Sequence, residues 1–175
     1  LKSECDVRMV VKNKGSGDPL VVQATGKHWT LKQKIGHHVH KLLQRPSYGQ
    51  IPPGFSLSAE DFCSAGLDEA IDAFRPDVIH LHWVCNSFLS LEDLARISHP
   101  LVWSMHDSWP FTGGCHVPGA CTAYRQQCGR CPVLESNLED DLSRQFYRQK
   151  RRLFDHLEAG AGNDADGEAR PLNPA

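Results

Sequence analysis

Two pairs of residues stand where chemistry is expected in an α/β protein. His82 and Trp83 end the apolar run 78–83, and His106 and Asp107 follow a second run at 101–105. Ligands of open α/β sheets bind beyond the carboxyl ends of the parallel strands. An imidazole can exchange a proton near neutral pH or hydrogen-bond a sugar hydroxyl, and an indole face suits a sugar ring. The alternative is that these residues cap the sheet structurally, a role favoured for His80, which lies deeper in its strand.

A second constellation is a loop with four of the seven cysteines of the chain. Their spacing is Cys-x5-Cys-x6-Cys-x2-Cys, and a Cys-x2-Cys pair can hold one edge of a tetrahedral Zn(II) site. Two local disulfides or four free thiols are the alternatives. The remaining cysteines, Cys5, Cys63 and Cys85, are scattered, which indicates a reducing compartment. The candidate metal ligands are Cys115, Cys121, Cys128 and Cys131.

A run of basic residues lies late in the chain. The usual interpretation is a solvated helix face paired with acids, and the alternative is contact with anionic lipid headgroups or a phosphorylated acceptor. The chain has no P-loop, GxGxxG, GxSxG or HExxH motif. The basic residues are Arg144, Arg148, Lys150, Arg151 and Arg152.

The central part of the chain predicts a βαβ unit. Strands are expected over 78–83 and 101–105, and a helix begins after Ser90, with Asp93 three residues on as in a capping box. Pro100 ends that helix. Two strands joined by a helix within so few residues should be parallel.

The flanking segments complete the predicted elements. Short apolar runs at 7–11 and 20–22 are typical of strands, with a loop over 13–19 between them. Apolar residues at helical spacing predict three further helices, and a tail rich in Ala, Gly, Asp, Asn and Pro is expected to be disordered. The helices are predicted at 31–44, 60–74 and 137–157, a loop at 45–56, and the tail at 159–175.

Composition limits the class of protein. The chain has 175 residues, 40% of them hydrophobic, and a formal net charge of −2. That length suits one domain with a tail, and the charge balance argues against a nucleic-acid binder. No apolar run reaches the roughly 18–20 residues that span a bilayer. The chain begins with Leu1, so the absence of a signal peptide carries little weight.

Several strings together resemble glycosyltransferase family 4, in particular its bacterial exopolysaccharide (colanic-acid-type) members. The resemblance covers about residues 3–157 and is strongest over 76–154. It is carried by Asp77–Trp83, by the run Val102–His116 with its HDSWPFTGGCH string, by Cys121, and by Cys128–Pro132.

The resemblance implies a fold and a reaction. The fold is an α/β, Rossmann-like parallel sheet with flanking helices, the N-terminal acceptor-binding domain of a GT-B enzyme, over residues 1–158 with a Cys-rich loop at 113–132. Full-length relatives would transfer a sugar from a nucleotide sugar to a polysaccharide or lipid-linked acceptor with retention of configuration. Lacking the family's first strand and its donor domain, the chain is expected to be an incomplete half that is inactive alone.

The resemblance also implies roles for single residues. His106 would contact the donor sugar or the acceptor hydroxyl and help stabilise the transition state. Asp107 and Trp109 would shape the acceptor pocket, and His82 and Trp83 would line it. No catalytic cofactor is expected, and the zinc considered above from the cysteine spacing would be structural. The implied location is the cytoplasm, with peripheral contact at the inner face of the plasma membrane.

A second class of function is a non-enzymatic binding module built on a zinc knuckle. The cysteine segment carries only Arg125 and Arg130 as basic residues. This is too few for a zinc knuckle that binds nucleic acid. The long family string independently favours the enzyme.

Overall fold

The computed structural model describes residues 5–24, 53–56, 65–85 and 88–161, and it has α/β architecture. The regular elements there are short strands in parallel pairs and three helices. Among these residues no helix is both long and apolar enough to cross a membrane. The elements are β1 (Met9–Val11), β2 (Val21–Gln23), α1 (Ala65–Phe74), β3 (Ile79–Leu81), α2 (Leu91–Arg96), β4 (Leu101–Trp103) and α3 (Leu142–Ala161).

The predicted βαβ unit is confirmed. β3 and β4 pair in parallel, with His80 opposite Val102 and Leu81 opposite Trp103. Helix α2 connects them and begins with the capping box, in which the Ser90 side chain accepts from the Asp93 N–H and the Asp93 carboxylate accepts from the Ser90 N–H. This exchange satisfies N–H groups that a helix start leaves without partners.

The main core lies between this unit and the helices on either side of it. Leu94 of α2 is fully buried, and Leu153 and Phe146 of α3 are 2% exposed. The apolar stripe predicted for the last helix therefore packs as expected from its helical spacing. The buried members of this core are Leu67, Leu81, Val84, Cys85, Leu89, Leu94, Ile97, Trp109, Phe146 and Leu153.

The N-terminal strands form a separate parallel pair. Met9 of β1 pairs with Val21 of β2, and within the described ranges this pair shares no hydrogen bonds with β3 and β4. The guanidinium of Arg8 lies 5.5 Å from the ring centre of Phe74 at the end of α1. The strand predicted at 7–11 is thus confirmed in shorter form, and the one predicted at 20–22 is confirmed with a shift of one residue.

Helix α3 differs from its prediction at both ends. It begins at Leu142 rather than at residue 137, because Asp141 accepts a hydrogen bond from the Arg144 N–H at 3.1 Å and so caps the helix. Leu138, expected in the apolar stripe, lies before the helix and is 63% exposed. The helix continues to Ala161, three residues into the predicted tail.

Some predictions fall outside the described residues. These are the helix at 31–44, most of the loop at 45–56, the first part of the helix at 60–74, Cys63, and the tail from 162 to 175.

Candidate functional site

Two histidines meet just beyond the carboxyl ends of β3 and β4. Nδ1 of His82 and Nε2 of His106 are 2.9 Å apart, and the two rings are stacked with centres 5.2 Å apart. The register pairs residues 22 positions apart, such as His80 and Val102, so the residues that follow the two strands lie at the same edge of the sheet. One step further back, His80 Nε2 pairs with Ser104 Oγ at 2.8 Å. The four side chains therefore form two successive hydrogen-bonded pairs, His80 with Ser104 and His82 with His106.

Trp83 and Asp107, the other two residues predicted at the strand ends, also lie in contact. Asp107 accepts from the Trp83 indole N–H at 3.2 Å and from the Trp109 backbone N–H at 2.8 Å. His116 Nδ1 lies 2.7 Å from the Asp107 Oδ2. Sequence reasoning missed His116 as a site residue. Its place in the HDSWPFTGGCH string was the available signal, but its contact depends on how the loop turns back.

All five predicted substrate-site residues line one shallow pocket, together with Val84, Cys85, Trp103 and Pro110. Their exposure differs greatly. Trp83 is 50% exposed and offers an indole face to solvent, whereas Trp109 is 1% exposed. The Trp109 indole N–H donates to the Ser56 carbonyl at 2.8 Å. Trp109 therefore supports the pocket from below, and its ring is not open to a ligand.

Lys150 is buried. The prediction that it belongs to a solvated basic helix face is therefore wrong. It is 2% exposed, donates from Nζ to the Trp109 carbonyl, and lies 4.0 Å from the centre of the Trp109 ring. Burial lowers the pKa of Lys150 to about 7, although the charges of Cys85, Cys128, Cys115 and Asp107 oppose the shift. Lys150 thus braces the turn that follows Asp107.

Three other basic residues of α3, Arg144, Arg148 and Arg151, form ion pairs with acidic side chains. Arg144 donates to the Cys128 carbonyl and to Glu139, and it holds the pKa of Glu139 below its usual value. Arg148 pairs with Asp140 at 2.9 Å, and Arg151 with Asp155 at 3.4 Å. These ion pairs favour a solvated, acid-paired face over a lipid-binding one.

The cysteine loop is held by polar groups on the start of α3. Asp141 is fully buried, and its carboxylate accepts from the Cys131 N–H at 2.8 Å and from the Ser143 hydroxyl at 2.6 Å. Burial alone would raise the pKa of Asp141, but hydrogen bonds from Ser143, Cys131 and Arg144 outweigh it and lower the pKa. The Ser143 hydroxyl also accepts from the Gly129 N–H at 3.0 Å.

At two positions of the loop the neighbouring backbone lies so close that only glycine fits. A Cβ on Gly113 would lie 2.2 Å from the Ser143 carbonyl oxygen, and one on Gly129 would lie 2.2 Å from the Glu139 carbonyl oxygen. Gly129 also has a φ of +100°, which favours glycine. These glycines let the loop press against the start of α3.

The four loop cysteines line a single cleft. Cys115 and Cys131 are buried, while Cys121 and Cys128 are partly exposed, and all four are free thiols. A hydrogen bond from Cys115 lowers the pKa of Cys131 to about 6, and the same bond raises the pKa of Cys115. Burial raises the pKa of Cys128 to about 11. In the part of the chain that the structure describes, no three His, Cys, Asp or Glu side chains are already arranged to hold a metal ion.

Comparison with known proteins relates the chain to a glycosyltransferase. It is 30% identical over 90 residues to the Escherichia coli (strain K12) protein named "Putative colanic acid biosynthesis glycosyl transferase WcaC". The match covers 45% of this chain and 22% of the relative, so the chain spans about a fifth of that protein's length. No family model matches the chain. No solved structure matches it either.

Proposed function

We propose that the pocket at the ends of β3 and β4 is the acceptor side of a glycosyltransferase of the family 4, GT-B type. The observation that carries the proposal is the pairing of His82 with His106, and of Trp83 with Asp107, around one pocket. The relationship to a protein named as a glycosyl transferase supports the reaction class. The reaction is transfer of a sugar from a nucleotide sugar to a polysaccharide or lipid-linked acceptor, with retention of configuration.

His106 has the central role in this proposal. In the transfer, the acceptor oxygen bonds to the anomeric carbon, the bond from that carbon to the nucleotide diphosphate breaks, and the proton of the acceptor hydroxyl passes to the departing diphosphate. His106 would hydrogen-bond the acceptor hydroxyl or the transferred sugar and stabilise the charge that develops. The hydrogen bond between His82 Nδ1 and His106 Nε2 holds the His106 ring, with one of the two nitrogens donating and the other accepting.

Trp83 and Asp107 would bind the acceptor. The exposed indole of Trp83 offers an apolar face to a sugar ring, and its N–H is held by Asp107. Asp107 is itself fixed by His116 and by the Trp109 N–H. An oriented carboxylate beside an aromatic face is a suitable site for sugar hydroxyls.

The test is a radiolabelled-sugar transfer assay on the product of the complete gene that encodes this chain. Several nucleotide sugars are offered with a lipid-linked acceptor. His106→Ala is expected to lower kcat by about 10²-fold or more with an unchanged circular dichroism spectrum. The control is His99→Ala, at the opposite end of β4. Near-normal kcat in His106→Ala would reduce this histidine to a structural residue, and no transfer with any donor would overturn the proposed reaction.

A further inference from the structure

Hydrophobic packing alone does not explain why the four cysteines of the loop lie together. Cys115, Cys121, Cys128 and Cys131 come from three separate backbone segments and line the same cleft. A free cysteine usually behaves as a small buried hydrophobic residue. Cys115 and Cys131 fit that description, but Cys121 and Cys128 are partly exposed at the cleft. From this convergence we propose that the four thiols are the ligands of one structural Zn(II) ion.

The separation of the buried pair suits this role. Tetrahedral bonds of about 2.3 Å place neighbouring sulfurs about 3.8 Å apart, which is the range of a thiol–thiol hydrogen bond. Cys115 and Cys131 already make such a bond. Cys128 is close enough to both for their charges to interact, and Cys121 is close enough to Cys115 and Cys128. Because no three of the described ligand-type side chains are yet arranged around one point, the proposed site requires the Cys121 and Cys128 side chains to turn toward the buried pair.

The backbone around the thiols is arranged as metal-bound thiolates require. The Cys131 sulfur accepts hydrogen bonds from the backbone N–H groups of Val133 and Leu134. The Cys128 sulfur is hydrogen-bonded by the Gly113 N–H. Donors of this kind orient the ligands of a metal and stabilise their negative charge.

Nearby cations offset the charge of the site. Four thiolates around Zn(II) leave a net charge of −2, which is costly beside a core. The charge of Lys150 interacts with Cys115 and Cys128. Arg144, whose side chain is 12% exposed, donates twice to the Cys128 carbonyl. Both cations lie on α3, against which the loop packs.

The loop also needs a crosslink. Between Thr112 and Asp141 the only regular element is the single turn Ala123–Arg125, and a connection this long seldom holds one shape by itself. Four thiolates leave no open position for substrate or water, so the ion would be structural. It would also hold His116, one residue after Cys115, against Asp107 in the pocket.

Metal analysis of the chain, purified under reducing conditions without added zinc, tests the proposal. We expect about one zinc per chain, lost in the double variant Cys128→Ser, Cys131→Ser and retained in Cys5→Ser, whose thiol is exposed and distant in sequence. A zinc content close to zero, with four thiols that react freely in the folded chain, would overturn the proposal. So would a mass lower by two or four hydrogens, which indicates disulfides.

A second measurement does not depend on the folding of the variant. The metal is removed from the wild-type chain with a chelator, and Co(II) is titrated back. One equivalent should give the intense visible bands of tetrahedral, thiolate-bound Co(II), and zinc should displace them. Weak bands of octahedral Co(II), or no saturation at one equivalent, would contradict a four-cysteine site. Neither measurement depends on glycosyl transfer, so this proposal can fail or succeed independently of the proposed function.

Discussion

The strand-end pocket and the cysteine loop are neighbours that are built in opposite ways. The pocket is a few exposed side chains, His82, Trp83 and His106, placed by the parallel register of two three-residue strands. The loop has little regular structure and depends on buried polar groups and on glycines at backbone contacts. Substitutions in the pocket should therefore remove function with little loss of stability, and substitutions in the loop should do the reverse.

The largest effect on stability is expected from Asp141→Ala. The change leaves the Cys131 N–H, the Ser143 hydroxyl and the Arg144 N–H without their buried acceptor and removes the cap of α3. We expect the free energy of unfolding to fall by about 3 kcal/mol, measured by urea denaturation. The control is the neighbouring Asp140→Ala, which removes one exposed ion pair. Equal effects of the two variants would show that the buried network contributes nothing.

The next effect tests the close packing of the loop against α3. In Gly113→Ala the new methyl group meets the Ser143 carbonyl oxygen, so either the loop or the helix start must move. The expected loss is about 2 kcal/mol by the same denaturation assay. Gly15→Ala, where no atom lies within 4 Å of the added carbon, is the control and should leave the stability unchanged or slightly higher.

Lys150 connects the two regions, and its substitution should alter how stability depends on pH. Its pKa is about 7 in the folded chain against 10.5 for an unperturbed lysine. Between these values the unfolded chain binds more protons than the folded one, so this residue makes stability rise with pH. Lys150→Met should remove that rise, which amounts to about 1 kcal/mol between about pH 7 and pH 8.

The measurement for Lys150 is urea denaturation at both pH values under reducing conditions. Exposed Arg152→Met is the control and should keep the wild-type dependence. The thiols near Lys150 are present in both chains, so the difference between wild type and Lys150→Met is assigned to the lysine. An identical rise in stability with pH in the two chains would show that Lys150 is charged when folded.

The smallest effect is expected in the pocket. His82 is exposed, and His82→Ala should change the free energy of unfolding by about 0.5 kcal/mol or less, while His106 loses its oriented partner. Sugar transfer by the complete gene product should then fall, but less than in His106→Ala. A loss of stability comparable to that of Asp141→Ala would break the contrast between the two regions.

The sequence by itself determined the elements of the central unit and the residues of the pocket. Apolar runs and the Ser90 capping box are local signals, since each depends on residues a few positions apart. Parallel strands bring their carboxyl ends to one edge of the sheet, so the sequence alone predicts that His82, Trp83, His106 and Asp107 lie together.

The tertiary structure decided the rest, because these contacts join residues distant in sequence. In the sequence, Lys150 is one of five basic residues on the last helix. It is buried because its face of α3 packs on Trp109, 41 positions earlier. His116 reaches Asp107 only because the loop turns back through the bridge between Phe55 and Cys115. Helix α3 begins at Leu142 because the Asp141 carboxylate caps it, and that carboxylate also accepts from the Cys131 N–H, ten positions earlier. Such partners are chosen by the packing of the chain, which local spacing does not encode.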